Sequence, residues 1–251
     1  MAINHKGPTR LAALAKRAGV ARYLFSSSCS VYGHGAGVNL TEESPLYPVS
    51  LYAKSKIEAE KELLSLSDDS FAVTIFRNAT CYGFSPRMRF DLAINLMTLH
   101  AFKNGKITVM GGGAQWRPFV HIYDVARVFQ LALEAGPARV GGQVFNVGSP
   151  EQNYQIIQLA HLVKNHFPAV VVEVAPDDPD RRDYNVSFEK IARVLGFVPE
   201  KKPKDGILEI KQVLEEGKVT DDLKTVTVKY YKYLLDADAV LEQVKYNGRL
   251  F

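Results

Sequence analysis

Two apolar stretches, Tyr23–Ser28 and Phe71–Arg77, flank a segment of helical pattern, Leu51–Ser65, and this order constrains the fold more than any other feature of the chain. The first runs from Tyr23-Leu24-Phe25 into serines, as a buried strand would. The second is apolar nearly throughout, as a strand covered on both faces of a parallel sheet is. Ser50 supplies a hydroxyl N-cap for the helix between them. Strand, helix, strand is the α/β repeat, and these pieces read as half of a doubly wound parallel sheet.

The flanking sequence extends the pattern. Thr9–Ala18 reads as a helix with Leu11 and Leu14 inward, stopped by Gly19, and Gly33–Pro48 as a Gly- and Pro-rich loop. Further on come a helix Phe90–Lys103, a strand Ile107–Met110, a helix Val125–Glu134 with Asp124 as N-cap, and a strand Val144–Val147. Gln155–His166, Phe188–Leu195 and Asp205–Glu215 read as helices, Val170–Val174 as extended. In the tail, Val226–Val228 reads as extended and the aromatics Tyr230–Tyr233 as core.

Composition narrows the class. With 251 residues, 47% hydrophobic and 23% charged, the chain reads as a globular protein of one or two domains. A net charge of +4, without a Lys/Arg run interleaved with aromatics, argues against nucleic acid as a partner. Cys29 and Cys81 stand too far apart for a zinc or redox pair and suit a reducing, cytoplasmic setting. No 18-residue apolar run is present, so no membrane partner is expected, and no metal set emerges.

The chemistry concentrates at the first strand and the helix after it. In Tyr52-Ala53-Lys54-Ser55-Lys56, tyrosine and lysine are four residues apart and share a helix face, and Ser28 lies 24 residues upstream of Tyr52. Tyrosine in water, with a pKa of about 10, is a poor base until a nearby cation lowers it. A phenolate so tuned can take a proton from an alcohol while the adjacent C–H leaves as hydride, with Ser28 holding that hydroxyl and passing its proton along.

With the serine-rich strand end Ser26-Ser27-Ser28-Cys29-Ser30-Val31-Tyr32-Gly33, the chain resembles the extended short-chain dehydrogenase/reductase family, the NAD-dependent nucleotide-sugar epimerases and dehydratases. The resemblance continues through Phe76-Arg77-Asn78-Ala79-Thr80-Cys81-Tyr82-Gly83, Trp116-Arg117-Pro118-Phe119-Val120-His121-Ile122-Tyr123-Asp124-Val125-Ala126 and Phe145-Asn146-Val147-Gly148. It implies a partial Rossmann-like sheet from residues 1–83 and 118–148, a smaller mixed α/β substrate lobe from 84–117 and 149–251, NAD as cofactor, and a homodimer. It further implies an opening strand, Gly-rich turn and helix for the dinucleotide pyrophosphate. Gly33, Gly35 and Gly37 lack that spacing, and Gly111-Gly112-Gly113 reads as a turn. The expectation is therefore an N-terminally truncated enzyme, short by roughly three βα units, with a natural short form as the alternative.

Carried over residue by residue, the resemblance makes Ser28, Tyr52 and Lys56 catalytic and sets Tyr52, Lys56, Ser26 and Arg77 against NAD. It sets Ser28, Ser30, Asn78, Thr80, Arg117, Arg182 and Asp183 against the nucleotide-sugar. Arg117 would pair with pyrophosphate, for which a guanidinium fork is suited. Arg181 and Arg182 are adjacent, so one of them should be solvated. Thr80 stands where many members have an asparagine, and Asn78 shares its strand face. His121 is expected to be structural and His34 a loop residue.

The residues after Ser28 narrow the reaction. Dehydratases of this kind carry an acidic residue there, whereas here stand Cys29 and Ser30, closest to the UDP-galactose 4-epimerase pattern. Cys29 is read as packing. The implied activity is 4-epimerisation: oxidation at C4, a keto sugar that turns over, and re-reduction. The alternatives are a binding remnant without chemistry and an NAD(P)-dependent 4-keto-sugar reductase.

Overall fold

The structure is a computed structural model and describes residues 1–34, 39–176, 180, 182–246 and 248–249. After an opening helical turn, Ala2–Lys6, the elements are α1 (Gly7–Arg17), β1 (Arg22–Ser28), α2 (Leu51–Ser65), β2 (Ala72–Asn78), β3 (Thr80–Tyr82), α3 (Ala93–Asn104), β4 (Lys106–Val109) and β5 (Trp116–His121). They continue with α4 (Ile122–Glu134), α5 (Pro137–Val140), β6 (Gln143–Val147), β7 (Asn153–Gln155), α6 (Ile156–Lys164), β8 (Val171–Val174), α7 (Glu189–Leu195), α8 (Pro203–Glu215) and α9 (Thr227–Val244).

β1, β2 and β6 form a parallel sheet in that order, with Ser27 opposite Arg77 and Arg77 opposite Asn146. Every residue of β2 is buried, because alternate side chains enter different layers. Val73 and Ile75 meet Ala12 of α1 and Ala59 and Leu63 of α2 on one face. On the other face Phe76 lies against Phe129 and Phe145, with Val125 and Val128 of α4 in the same cluster. The α/β, Rossmann-like reading holds for this sheet. The helix α2 has the bounds read from the sequence, and the Ser50 hydroxyl accepts the Ala53 N–H at 3.1 Å.

A second body of structure follows. β3, β5 and β7 make one small sheet and β4 with β8 another. Ile94, Met97 and Ala101 of α3, Leu159 and Val163 of α6, and Ile207 of α8 close over Ile107, Val109 and Phe119. The segment after β8 returns to the first sheet: Val186, Phe188, Ile191, Leu195 and Phe197 all enter the core around Phe76 and Phe145.

Three expectations are corrected. Leu11 and Leu14 point outward, 58% and 46% exposed, because α1 packs its small side chains, Ala12 and Ala15, against the sheet layer. Asp124 is not an N-cap: His121 fills that place, its Nδ1 accepting the Tyr123 N–H at 3.1 Å, while the buried Asp124 carboxylate accepts the Glu200 and Lys201 N–H groups. The tail from Thr227 is helical, not extended and not core: α9 buries none of its residues, and Tyr231 and Tyr233 are exposed. Its start is fixed from outside, since Asp91 Oδ2 accepts the Thr227 N–H at 3.3 Å where a helix N-terminus favours negative charge.

Candidate active site

Strand β1 ends in three successive serines, and each meets a different turn of α2. The Lys56 ammonium donates to the Ser26 carbonyl at 2.8 Å, the Ser27 hydroxyl donates to Glu60, and the Ser28 hydroxyl lies close enough to the Tyr52 phenol to lower its pKa. Tyr52, Lys56 and Glu60 are spaced i, i+4, i+8, so one helix face presents all three. Ser28 is extended (φ −152°, ψ 141°) and its Oγ accepts the Ser30 N–H at 3.2 Å, capping the 3-10 turn Cys29–Tyr32 and aiming the hydroxyl at Tyr52.

Lys56 does not lower the Tyr52 pKa as the spacing suggests. Tyr52 is 43% exposed, and desolvation of its covered part raises its pKa, while Ser28 and, more weakly, the charge of Arg89 pull it back in part. The ammonium lies 4.5 Å from the Phe25 ring centroid and 5.7 Å from that of Tyr52, drawn toward β1 by the Ser26 carbonyl. Burial also lowers the Lys56 pKa, and the Glu60 charge acts against that.

Arg77 lies behind this face. Its guanidinium is 5% exposed and its donors go to Glu60 (2.7 to 3.2 Å), the Tyr32 hydroxyl (3.1 Å) and the Glu42 carbonyl (3.1 Å), so it faces the helix and the loop before it. Burial opposes its charge, but Glu60 more than offsets this and raises its pKa above the usual value. Tyr32 passes the network on, donating to Asn146 Oδ1 at 2.7 Å. Cys29 is buried, bonded to the Arg77 carbonyl oxygen, and its thiol pKa is pushed well up by burial.

The other arginines converge elsewhere. Arg117, 4% exposed, donates to the Trp116 carbonyl at 2.8 Å, lies 5.5 Å from the Tyr184 ring centroid and approaches Asp180 Oδ1 at 3.3 Å. Arg182 reaches both oxygens of that carboxylate, through Nε at 2.7 Å and through a second, shorter contact. Burial raises the Asp180 pKa, but the two arginines outweigh it and bring the carboxyl down to about 2. Tyr184 also faces Tyr32, at 6.4 Å between ring centroids, which sets this cluster beside the turn that follows Ser28. Asp183 Oδ1 accepts the Trp116 N–H at 2.8 Å, next to Arg117. Arg181, Gly35 and Gly37 lie outside the described residues.

The sequence matches the NAD dependent epimerase/dehydratase family over residues 1–148. The chain belongs to that family. It is 32% identical over 216 residues to a dTDP-glucose 4,6-dehydratase of Actinoplanes sp., covering 83% of this chain and 65% of that one. It is 28% identical over 198 residues to the UDP-glucose 4-epimerase of Corynebacterium glutamicum, covering 72% of this chain and 59% of that one. The solved structure of MoeE5 in complex with UDP-glucose and NAD superposes with a TM-score of 0.74 at 25% identity, over 86% of this chain and 72% of that one. The chain spans about three-fifths of the length of the curated relatives it matches.

Within this epimerase/dehydratase chain, Ser28, Tyr52 and Lys56 come together, with Ser26 and Asn78 beside them. Asn78 donates to the Ser26 hydroxyl at 2.8 Å, and its Oδ1 is buried without a hydrogen-bond partner, as is the Ser30 hydroxyl oxygen. Such orphaned buried acceptors are costly unless a ligand meets them. Thr80 sits half-buried on β3, next to β5. The sequence reading missed Glu60, Asp180 and Arg89. Glu60 had a legible signal, its i+8 place on the face of Tyr52 and Lys56; Asp180 and Arg89 come from loops, and nothing in their local spacing marks them.

Proposed function

We propose that the chain carries the catalytic face of an NAD-dependent nucleotide-sugar 4-epimerase. The placing of the Ser28 hydroxyl where it pulls on the Tyr52 phenol, with Lys56 on the same helix face, carries this reading. The residues fit the nicotinamide–ribose end of the dinucleotide: Lys56 is a triple donor beside the Tyr52 ring, and the Asn78 oxygen is an unpaired acceptor at the same strand end. Bound NAD⁺ would supply the acceptor for the hydrogen that leaves C4.

The rest is the work of the chain's own groups. Tyr52 takes the proton of the C4 hydroxyl, Ser28 holds that oxygen and relays the proton, and Lys56 binds ribose hydroxyls and adds positive charge beside the phenol. Desolvation raises the phenol in the absence of a second cation, so the ammonium must turn from Ser26 toward Tyr52, or be joined by the positive nicotinamide, for the base to work near neutral pH. Arg117 and Arg182 hold the nucleotide diphosphate, whose oxygens replace those of Asp180 between them.

Epimerisation is favoured over dehydration by the neighbours of Ser28. Cys29 is buried with a raised pKa and Ser30 is a neutral hydroxyl, so neither supplies the acid that loss of water across C5–C6 needs. Tyr52→Phe should lower turnover of the assembled enzyme by about 10²–10⁴; turnover within a few-fold of the original would remove Tyr52 from the mechanism. Net consumption of NAD(P)H in product analysis would point to the 4-keto reductase instead. Calorimetric titration with NAD⁺ and then a nucleotide-sugar separates an enzyme from a sugar-nucleotide binder that has no dinucleotide site.

A further inference from the structure

We propose that Glu60 is the positioning residue of this site, fixing where α2 presents Tyr52 and Lys56 to the serine strand and serving as the counter-charge of the Lys56 ammonium. The inference rests on the reading of Tyr52 and Lys56 given above, but its geometry stands without it.

The Glu60 carboxylate is 3% exposed and lies where α2, β1 and β2 meet. Its Oε1 accepts the Ser27 hydroxyl of β1, and both oxygens accept the Arg77 guanidinium of β2. Ser27 and Arg77 are direct partners across the two strands, so one carboxylate pins two adjacent strands to one helix turn. That turn is the one after Lys56, and Lys56 is one turn after Tyr52. A slip or rotation of α2 that freed Glu60 would therefore carry Tyr52 away from Ser28 and Lys56 away from Ser26. A buried carboxylate of this kind is strongly held, because its partners cannot be replaced by water.

Arg77 extends the grip to the loop before the helix. Its Nη1 reaches the Tyr32 hydroxyl and the Glu42 carbonyl, and the Glu42 carboxylate accepts the Asn146 N–H at 2.7 Å. Two points of the loop that joins Ser28 to Tyr52, Tyr32 and Glu42, are thus tied to the guanidinium that Glu60 holds. The charge role has separate support. The groups facing Lys56 are Tyr52 and Glu60 on its own helix and the Ser26 carbonyl and Phe25 ring on β1, with Arg77 behind Glu60. Glu60 is the anion among them, and its charge works against the burial that lowers the lysine's pKa.

The test is titration of Lys56 in the folded chain by the ¹³Cε chemical shift, assigned with Lys56→Arg. In Glu60→Gln the midpoint should move down, and Glu60→Asp, which keeps the charge, should restore most of it; a residue that only packs would give no such rescue. Because Glu60→Gln leaves Arg77 buried without its anion and can unfold the chain, Glu60→Gln/Arg77→Met is titrated as well, and its midpoint should also fall. A midpoint equal to that of the unaltered chain in either folded variant overturns the counter-charge role. Loss of the Ser28 influence on the Tyr52 phenol, read from the Tyr52 ¹³Cζ shift, is expected in Glu60→Gln/Arg77→Met, and an unchanged shift overturns the positioning role. Failure of the epimerase reading shows in turnover and leaves these titrations as they are.

Discussion

Two carboxylate–arginine clusters lie on either side of the turn after Ser28, and they differ in one respect. Glu60 with Arg77 is sealed, both side chains being almost fully buried, whereas Asp180, which joins Arg117 to Arg182, is about one-third exposed. A sealed pair cannot exchange its partner for a ligand, since either ion left alone would be desolvated without compensation. An open pair can, because water and an incoming anion reach it. The same chemical groups thus serve as a fastener in one place and as a receptor in the other, and burial decides which.

The largest effect should come from breaking the sealed cluster at one side. Arg77→Met leaves Glu60 as a lone buried anion and should cost about 3–5 kcal/mol in denaturant unfolding. Adding Glu60→Gln should return much of that loss, since two neutral side chains of similar volume replace the pair. If the single and double variants were equally destabilised, the cluster would matter as packing and not as charge.

At the open cluster the effect should appear in binding and not in stability. Arg117→Ala should weaken nucleotide-sugar binding about tenfold to a hundredfold by calorimetry, the loss of about 1.5–3 kcal/mol in charge-assisted hydrogen bonds. A smaller effect of opposite sign is expected from Asp180→Asn, which removes the competing anion and should tighten binding by a few-fold. Unchanged affinity in both variants would detach these arginines from the phosphate.

The smallest effect is a pH dependence. The Asp180 pKa is brought from 3.8 to about 2 in the fold, so its stabilising contribution is present above the upper value and is lost as pH falls through the lower one. Thermal melts between those limits should show a slope that Asp180→Asn lessens. A slope equally steep in the variant would assign it to other carboxylates.

What the sequence could show follows the same division between local and distant partners. The helix from Leu51 to Ser65, its Ser50 cap and the two strands around it were readable because their signals are near neighbours in the chain. The i, i+4 spacing likewise placed Tyr52 and Lys56 on one face of that helix. Leu11 and Leu14 misled because apolarity names a residue for burial without naming the face that gets covered, and here alanines have that face. Val226–Val228 suggested a short extended piece, but a helix starts at Thr227, where Asp91, 136 positions earlier, meets its N-terminal end. The partner of Arg77 was out of reach in the same way: the register of β1 on β2 sets it beside Glu60, which spacing alone does not give.

One feature of the sheet bears on how the site could be observed as it assembles. β1 pairs with β2 on one side and, among the described residues, with no strand on the other, so the serine strand is also the rail of the sheet. Alternate amides along Leu24–Ser28 point outward from that rail. Their deuterium uptake should be fast while the rail is bare and slow once another strand lies along it. A handful of backbone protons thus gives a spectroscopic gauge of occupancy, one residue away from the hydroxyl that touches Tyr52.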